Sequence, residues 1–194
     1  MKIILDAMGG DNAPQAPVMG AIAAAKDFGA QITLVGRGEE ILKVLKDNGI
    51  HDLPQGITVT DAEEVVDMHD DPANVIRKKK NSSLVVGLRM LAEEQGDAFI
   101  CAGSTGALLS GATLIVKRVK GIRRAAFCPE IPTDNKTLLI DCGANSECTP
   151  EFLLQFGFMG SFYAQKALNK VNPRVALLNN GAEEGVGIKL VGEH

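Results

Sequence analysis

The sequence has few of the residues that form metal centres or disulfide frameworks. Its 194 residues include three histidines and four cysteines. The histidines lie far apart, and the cysteines, at positions 101, 128, 142 and 148, have no CxxC spacing. Such cysteines are typical of buried thiols in a reducing compartment. We therefore expect neither a metal site nor a disulfide.

Long apolar runs and a strong charge of one sign are also missing. The longest mostly apolar run, residues 107–116, is much shorter than the roughly 20 residues that span a bilayer, and no signal-peptide pattern is recognisable. The net charge of −4 argues against extensive nucleic-acid binding. With 45% hydrophobic residues the chain can bury a core. We expect a cytoplasmic protein whose residues 1–194 form a single α/β unit.

Sequence signatures of nucleotide binding and of covalent acyl chemistry are absent. The chain contains no GxxxxGK[ST], no GxGxxG and no GxSxG motif. Residues 36–38 supply only an isolated GxG. We therefore expect any acyl or phosphoryl transfer to proceed by direct attack within a positioned complex.

Short apolar runs alternate with helical patterns along the whole chain. The predicted strands are residues 3–5, 32–35, 57–60, 98–101, 137–141 and 174–178, with a further strand at 125–131. The predicted helices are residues 16–28, 39–48, 72–80, 83–95, 104–117 and 150–169. This alternation predicts βαβ units, a mostly parallel sheet and helices on both of its faces.

The turn after the first strand reads DAMGGDNAP, from residue 6 to residue 14. Gly9 and Gly10 lack a Cβ, so their N–H groups can approach an anion, and Asp6 and Asp11 can orient donors. Asp11 or Asn12 can also cap the following helix. The alternative interpretation is a glycine-rich turn with capping residues and no ligand.

A second turn of small residues, CAGSTGA, follows the predicted strand at 98–101. Free N–H groups at the start of the next helix, together with two hydroxyl groups, favour a phosphate. The candidate phosphate-binding residues of this turn are Gly103, Ser104, Thr105 and Gly106. Ser104 as a plain helix N-cap is the alternative.

Two more glycine-bearing polar turns follow later predicted strands, DCGAN at 141–145 and NNGAEEG at 179–185. Ligands of open parallel sheets bind at the carboxyl ends of the strands. If the four turns share that edge of the sheet, they line one cleft. Asn145, Asn179 and Glu183 would then contribute polar side chains to it.

Basic residues cluster in two segments although the chain is acidic overall. An acidic protein partner or a phosphorylated ligand is one explanation, and solvated lysines at helix C-termini are the other. The clusters contain Arg77, Lys78, Lys79 and Lys80, with Arg89, and Lys117, Arg118, Lys120, Arg123 and Arg124. The acidic string at 67–72 is explained more simply by Asp71 as an N-cap before Pro72 than by a ligand site.

The predicted helix at 150–169 carries five of the eight aromatic residues of the chain. It is apolar on more than one face, which is typical of a helix that packs within a core or against another subunit. We prefer a homodimer interface, because covering a sheet with helices leaves one helical face outward.

Taken together, these segments resemble the PlsX-type phosphate acyltransferases, which form acyl-phosphate from acyl-acyl-carrier-protein and inorganic phosphate. The resemblance covers nearly the whole chain. It is carried by residues 6–11, 77–83, 102–107, 120–124, 141–145 and 172–175.

The resemblance implies a three-layer αβα fold similar to the isocitrate dehydrogenase-like enzymes, a homodimer, no metal or organic cofactor, and a place in bacterial phospholipid synthesis. Under it, phosphate attacks the thioester carbonyl, and the acyl carrier protein docks on the basic residues. The Ser104 turn and the Gly9–Gly10 backbone would bind phosphate, with Asp6, Asp11 and Asn145 as orienting groups. Phosphotransacetylase-like transfer to coenzyme A and an inactive anion- or carrier-binding module are the alternatives.

Two departures from the family pattern qualify this interpretation. The family usually has a lysine followed by GNEL where this chain reads VGIKL at residues 186–190, so a cation is expected to be lost at Val186. The family pattern also continues well beyond residue 194, into the far wall of the cleft and the segment expected to contact the membrane. We therefore expect an N-terminal fragment or a truncated relative with weak activity or none.

Overall fold

The structure is a computed structural model that describes residues 1–134 and 136–178. The chain divides into two compact units, Met1–Lys117 and Arg118–His194. Asn179, Glu183 and Val186 lie outside the described residues. Among the described residues, no helix is both long enough and apolar enough to cross a membrane.

The first unit is built on a four-stranded parallel sheet. Its strands are β1 (Lys2–Asp6), β2 (Gln31–Gly36), β3 (Ile57–Asp61) and β4 (Ala98–Ile100). They lie in the order β3-β2-β1-β4. In register, Leu5 of β1 lies opposite Leu34 of β2 on one side and Ile100 of β4 on the other. These four strands and their parallel arrangement were predicted from the sequence, and the prediction is confirmed.

Helices connect the strands of the first unit. They are α1 (Gln15–Phe28), α2 (Gly38–Asp47), the short α3 (Val75–Lys78), α4 (Ser83–Ala92) and α5 (Thr105–Gly111), which continues as a π-helical segment, Ala112–Val116. The predicted 72–80 helix is therefore reduced to the four residues of α3, preceded by a turn. Asp71 caps this turn, because its Oδ1 accepts the N–H of Ala73.

Both faces of the sheet are covered, as the three-layer prediction requires. Ile32 and Leu34 are buried in a cluster that includes Val18 of α1 and Ile41 of α2. On the opposite face of the sheet, Val35 packs in a cluster with side chains of α4. Successive residues of a strand point to opposite faces, so β2 can bury both sets of side chains. A strand buried on both faces reads as a continuous apolar run.

The start of α1 differs from the prediction. The N-cap is Pro14, which makes no side-chain cap hydrogen bond. Asn12 instead contributes its backbone carbonyl, which accepts the N–H of Ala16. The predicted side-chain cap by Asp11 or Asn12 is wrong, because the helix begins one turn too late for either side chain to reach its first N–H groups.

The second unit contains a hairpin and one long helix among its described residues. Strands β5 (Glu130–Ile131) and β6 (Thr137–Leu138) pair antiparallel, and α6 spans Pro150–Ala167. The predicted strand at 137–141 is reduced to two residues outside the parallel sheet. The predicted strand at 174–178 is wrong, because this segment has no hydrogen-bonded neighbouring strand and its Val175 and Leu178 are exposed.

Helix α6 buries only one of its faces within the chain. Phe156, Gly160 and Ala164 are buried at four-residue spacing. Leu154, Phe158 and Phe162, also at four-residue spacing, are more than 60% exposed. Packing of this helix within the core of the single chain therefore accounts for one of its apolar faces and leaves the other exposed.

Candidate functional site

The first two predicted turns meet where the connectivity of the sheet changes direction. From β1 the chain passes to β2 and β3 on one side, and then returns to place β4 on the other side of β1. The crevice outside the carboxyl ends of two strands at such a switch point is where open α/β sheets bind ligands. The turn after β1 carries Gly9 and Gly10, and the turn after β4 carries Gly103 and Ser104.

Gly9 and Gly103 bring the two turns into direct backbone contact. A methyl group at Gly9 would lie 3.0 Å from the backbone nitrogen of Gly103, and one at Gly103 would lie 3.2 Å from Cα of Gly9. Neither position has room for a side chain unless the turns separate. The sequence predicted glycines that allow close approach, and here they approach each other.

Asp6, the last residue of β1, links the two turns. Its side chain is buried, at 3% exposure. One carboxylate oxygen accepts the N–H of Met8 at 3.0 Å, and the other accepts the thiol of Cys101 at 3.1 Å. Both oxygens are therefore committed to the structure of the turns, which suits an orienting group.

Cys101 is the residue that the sequence analysis missed at this site. Its sulfur donates to Asp6 and accepts the N–H of Gly103 at 3.3 Å. Burial, followed by the negative charge of Asp6, raises the pKa of the Cys101 thiol to about 12. Its position at the end of β4, beside a glycine-bearing turn, was the only signal in the sequence.

The N–H groups of Gly9 and Gly10 are available to a ligand. Neither makes a hydrogen bond to another residue in the described part of the chain. Gly9 is a buried residue, and a buried N–H without an acceptor is rare in proteins. Gly10 has a φ of 108°, which only glycine adopts without strain. The arrangement therefore suits an anion.

Ser104 caps α5, as its alternative interpretation held. Its Oγ accepts the N–H of Ala107, and the residue is only 7% exposed. Thr105, the first residue of α5, is exposed. A methyl group at Gly106 would lie 2.9 Å from Cγ of Pro72, so the packing of Pro72 accounts for this glycine.

The structure describes the surroundings of two further predicted polar residues. Asp11 is exposed in the first unit. Asn145 belongs to the second unit, where its Nδ2 donates to the carbonyl of Ala125 at 2.9 Å and to Oδ2 of Asp141 at 3.0 Å.

Asp141 organises the third predicted turn. Its carboxylate accepts the N–H groups of Phe127, Ala144 and Asn145. Partial burial raises the pKa of Asp141, but the hydrogen bonds from Asn145, Phe127 and Ala144 outweigh it, so the pKa lies below its usual value. The turn is thus held by a carboxylate that stays charged.

The first basic cluster contains one lysine that is engaged within the fold. Lys79 donates from its Nζ to the carbonyl of Val65 at 2.9 Å and to Oδ2 of Asp70 at 2.6 Å. Arg77, Lys78 and Lys80 are exposed. Only the last three are therefore well placed to meet a partner.

The second cluster also makes intramolecular contacts. Arg123 forms an ion pair with Glu151 at 3.0 Å, and the Arg124 guanidinium lies 5.6 Å from the centre of the Phe152 ring. Both contacts are made to the first turn of α6. The two arginines remain exposed.

The donor set of the crevice suits an anion better than a metal. Within residues 1–134 and 136–178, no group of three or more His, Cys, Asp or Glu side chains could hold a metal ion. At the contact between the two turns, the groups available to a ligand are the N–H groups of Gly9 and Gly10 and the hydroxyl of Thr105, which can bind phosphate oxygens.

Comparison with known proteins identifies the relatives of the chain. Phosphate acyltransferases of Herpetosiphon aurantiacus, Dictyoglomus turgidum and Alkaliphilus oremlandii are 47%, 44% and 46% identical to the chain, over 98%, 100% and 100% of its length. These alignments cover 52%, 57% and 57% of the relatives, so the chain spans about half their length. The model of a family described as fatty acid synthesis protein matches residues 1–193. The resemblance to the PlsX-type phosphate acyltransferases is thereby confirmed, and the chain belongs to the fatty acid synthesis protein family.

Proposed function

We propose that this chain carries the phosphate-binding part of an acyltransferase that forms acyl-phosphate from acyl-acyl-carrier-protein and inorganic phosphate. The observation that carries the proposal is the contact between the Gly9–Gly10 and Gly103–Ser104 turns at the switch point of the sheet. The relatives named phosphate acyltransferase support the same reaction class.

The phosphate would bind to backbone donors of the crevice. The N–H groups of Gly9 and Gly10 lack acceptors within the described residues, and Thr105 adds a hydroxyl at the exposed start of α5. Hydrogen bonds from fixed N–H groups to a charged oxygen are stronger than those between neutral groups. Ser104 acts through its cap, which fixes the start of α5.

In the proposed reaction, a phosphate oxygen attacks the thioester carbonyl carbon. A C–O bond forms, the C–S bond breaks, and the carrier leaves as a thiol that takes up the proton of the phosphate. The chain contributes by holding the phosphate and by donating hydrogen bonds to the oxyanion. Asp6 orients the turn, and Asp11, Asn145, Asn179 and Glu183 are the further polar residues that we propose for the complete site.

Titration of the ¹⁵N-labelled chain with inorganic phosphate tests the site. We expect saturable shifts of the Gly9, Gly10, Ser104 and Thr105 N–H signals, with sulfate competing. Shifts confined to exposed lysines, or none, would refute the phosphate site.

The reaction is tested separately, by measuring the free thiol of the carrier that is released from acyl-acyl-carrier-protein and phosphate. Acyl transfer to coenzyme A without any carrier protein would instead identify a phosphotransacetylase-like enzyme.

We propose that an acidic acyl carrier protein docks on Arg77, Lys78 and Lys80, with Arg123 and Arg124 as a second set. Complementary charge mainly raises the association rate and weakens with salt. Lys78→Glu should therefore weaken carrier binding. Lys43→Glu, on the exposed side of α2, is the matched control, and equal affinity of both variants at low salt would refute the docking site.

We also propose that the protein is a cytoplasmic homodimer. The exposed stripe of Leu154, Phe158 and Phe162 on α6 supports an interface, because exposed apolar stripes of this kind mark contact surfaces. Phe158→Glu should shift the mass measured by light scattering from dimer to monomer. A wild-type chain that is monomeric at all concentrations would refute the proposal.

A further inference from the structure

The thiol of Cys101 connects the two turns of the crevice. Asp6, which ends β1, is 95 residues away in the sequence, yet its Oδ2 lies 3.1 Å from the Cys101 sulfur. The same sulfur accepts the N–H of Gly103, two residues further along the chain. One atom thus contacts both the turn after β1 and the turn after β4.

The sulfur also lies beside both glycines of the contact. A methyl group at Gly9 would lie 3.2 Å from it, and one at Gly103 would lie 3.4 Å from it. The sulfur therefore occupies the space that a side chain at either glycine would need. Loss of this atom removes two hydrogen bonds, one to each turn, and leaves a void beside both glycines.

We propose that Cys101 is a positioning residue that holds the Gly9–Gly10 and Gly103–Ser104 turns next to each other, so that their N–H groups can bind the same phosphate. The inference rests on the proposed phosphate site. Cys101 acts through Asp6 and Gly103 and has no covalent role in the reaction.

The chemistry of the thiol suits this role. Because burial and the neighbouring Asp6 raise its pKa to about 12, the group stays protonated at neutral pH and remains a hydrogen-bond donor. A thiol that does not ionise is also a poor nucleophile. A buried carboxylate that loses a hydrogen-bond donor is destabilised, so we expect the Asp6 side chain to change its position when the Cys101 thiol is removed.

Three variants of the full 194-residue chain test the inference. Cys101→Ala removes both hydrogen bonds, whereas Cys101→Ser keeps a donor and an acceptor at the same place. Cys128→Ala is the matched control, since Cys128 is also partly buried and forms no hydrogen bond among the described residues. Phosphate affinity and the hydrogen exchange rates of the Gly9 and Gly103 amides are measured for each by NMR.

We expect Cys101→Ala to bind phosphate about tenfold more weakly, and Cys101→Ser and Cys128→Ala to stay within about threefold of the wild-type chain. Exchange at Gly103, whose N–H loses its sulfur acceptor, should rise in Cys101→Ala alone. Equal affinity and equal exchange in the alanine and serine variants would overturn the inference. So would a uniform rise in exchange throughout β1–β4, which would indicate a general loss of stability.

The two proposals fail in different ways. If the wild-type chain binds no phosphate at these amides, the proposed function fails, and the exchange rate of Gly103 alone decides the role of Cys101. If the wild-type chain binds phosphate and Cys101→Ala binds it equally well, the proposed function stands and the role of Cys101 is refuted.

Discussion

Replacing Gly9 with alanine is the sharpest perturbation of the crevice. The added methyl group would lie 2.9 Å from Oδ2 of Asp6, 3.0 Å from the nitrogen of Gly103 and 3.2 Å from the sulfur of Cys101. Carbon atoms approach such atoms only to about 3.4 Å or more. Two of the three neighbours cannot move freely, because Asp6 is buried and Gly103 is backbone.

The turns must therefore separate by roughly half an ångström. Overpacking of this kind costs about 1–3 kcal/mol in the free energy of unfolding. Each kcal/mol lowers the melting temperature by about 2–4 °C in a chain of this size. Phosphate affinity should fall at least about tenfold, since the N–H groups of the two turns can no longer bind the same phosphate together.

Gly20→Ala is the matched control. Gly20 lies within α1, is exposed, and has no heavy atom within 4 Å of the position that a methyl group would take. Alanine is a better helix former, so this variant should be stabilised by about 0.5–1 kcal/mol and bind phosphate normally. Thermal unfolding and phosphate titration measure both variants. The reasoning is refuted if Gly9→Ala matches the wild-type chain in stability and affinity.

Two other predictions follow from single contacts. Gly106→Ala should lower the melting temperature because its methyl group meets Pro72 at 2.9 Å, and adding Pro72→Ala should restore it; a double variant no more stable than Gly106→Ala would contradict this packing. The hydrogen bond from Lys79, then the Asp67 backbone, lowers the pKa of Asp70. Its contribution to stability is therefore complete above the usual aspartate pKa and is lost as the pH falls through the lowered value. Acid unfolding of Asp70→Asn should lack this component, whereas Asp52→Asn should retain it.

The elements around the crevice could be predicted from the sequence. Alternation of apolar runs and helical patterns depends on local sterics and periodicity, so β1 to β4 and the order of the helices could be predicted. Gly9 and Gly10 predict a backbone that other groups can approach closely, because the missing Cβ does not depend on the rest of the fold. The resemblance of the same segments to a known family predicted the family to which the chain belongs.

The strands of the second unit could not be predicted in the same way. Residues 137–141 and 174–178 have the composition of strands, but a strand forms only where a neighbour supplies hydrogen bonds. In the structure the first segment pairs over two residues and the second does not pair. Helix α6 likewise has apolar residues on more than one face, and nothing in the sequence indicated which face the chain buries.

Which residues come into contact could not be predicted from the sequence. Strand β4 lies beside β1, a pairing between distant parts of the sequence, and this pairing brings Cys101 next to Asp6, 95 residues away. The same packing assigns Gly106 to a contact with Pro72 and engages Lys79 with Asp70. The physical reason is that these contacts depend on how helices and strands bury their apolar faces together, which no local pattern in the chain records.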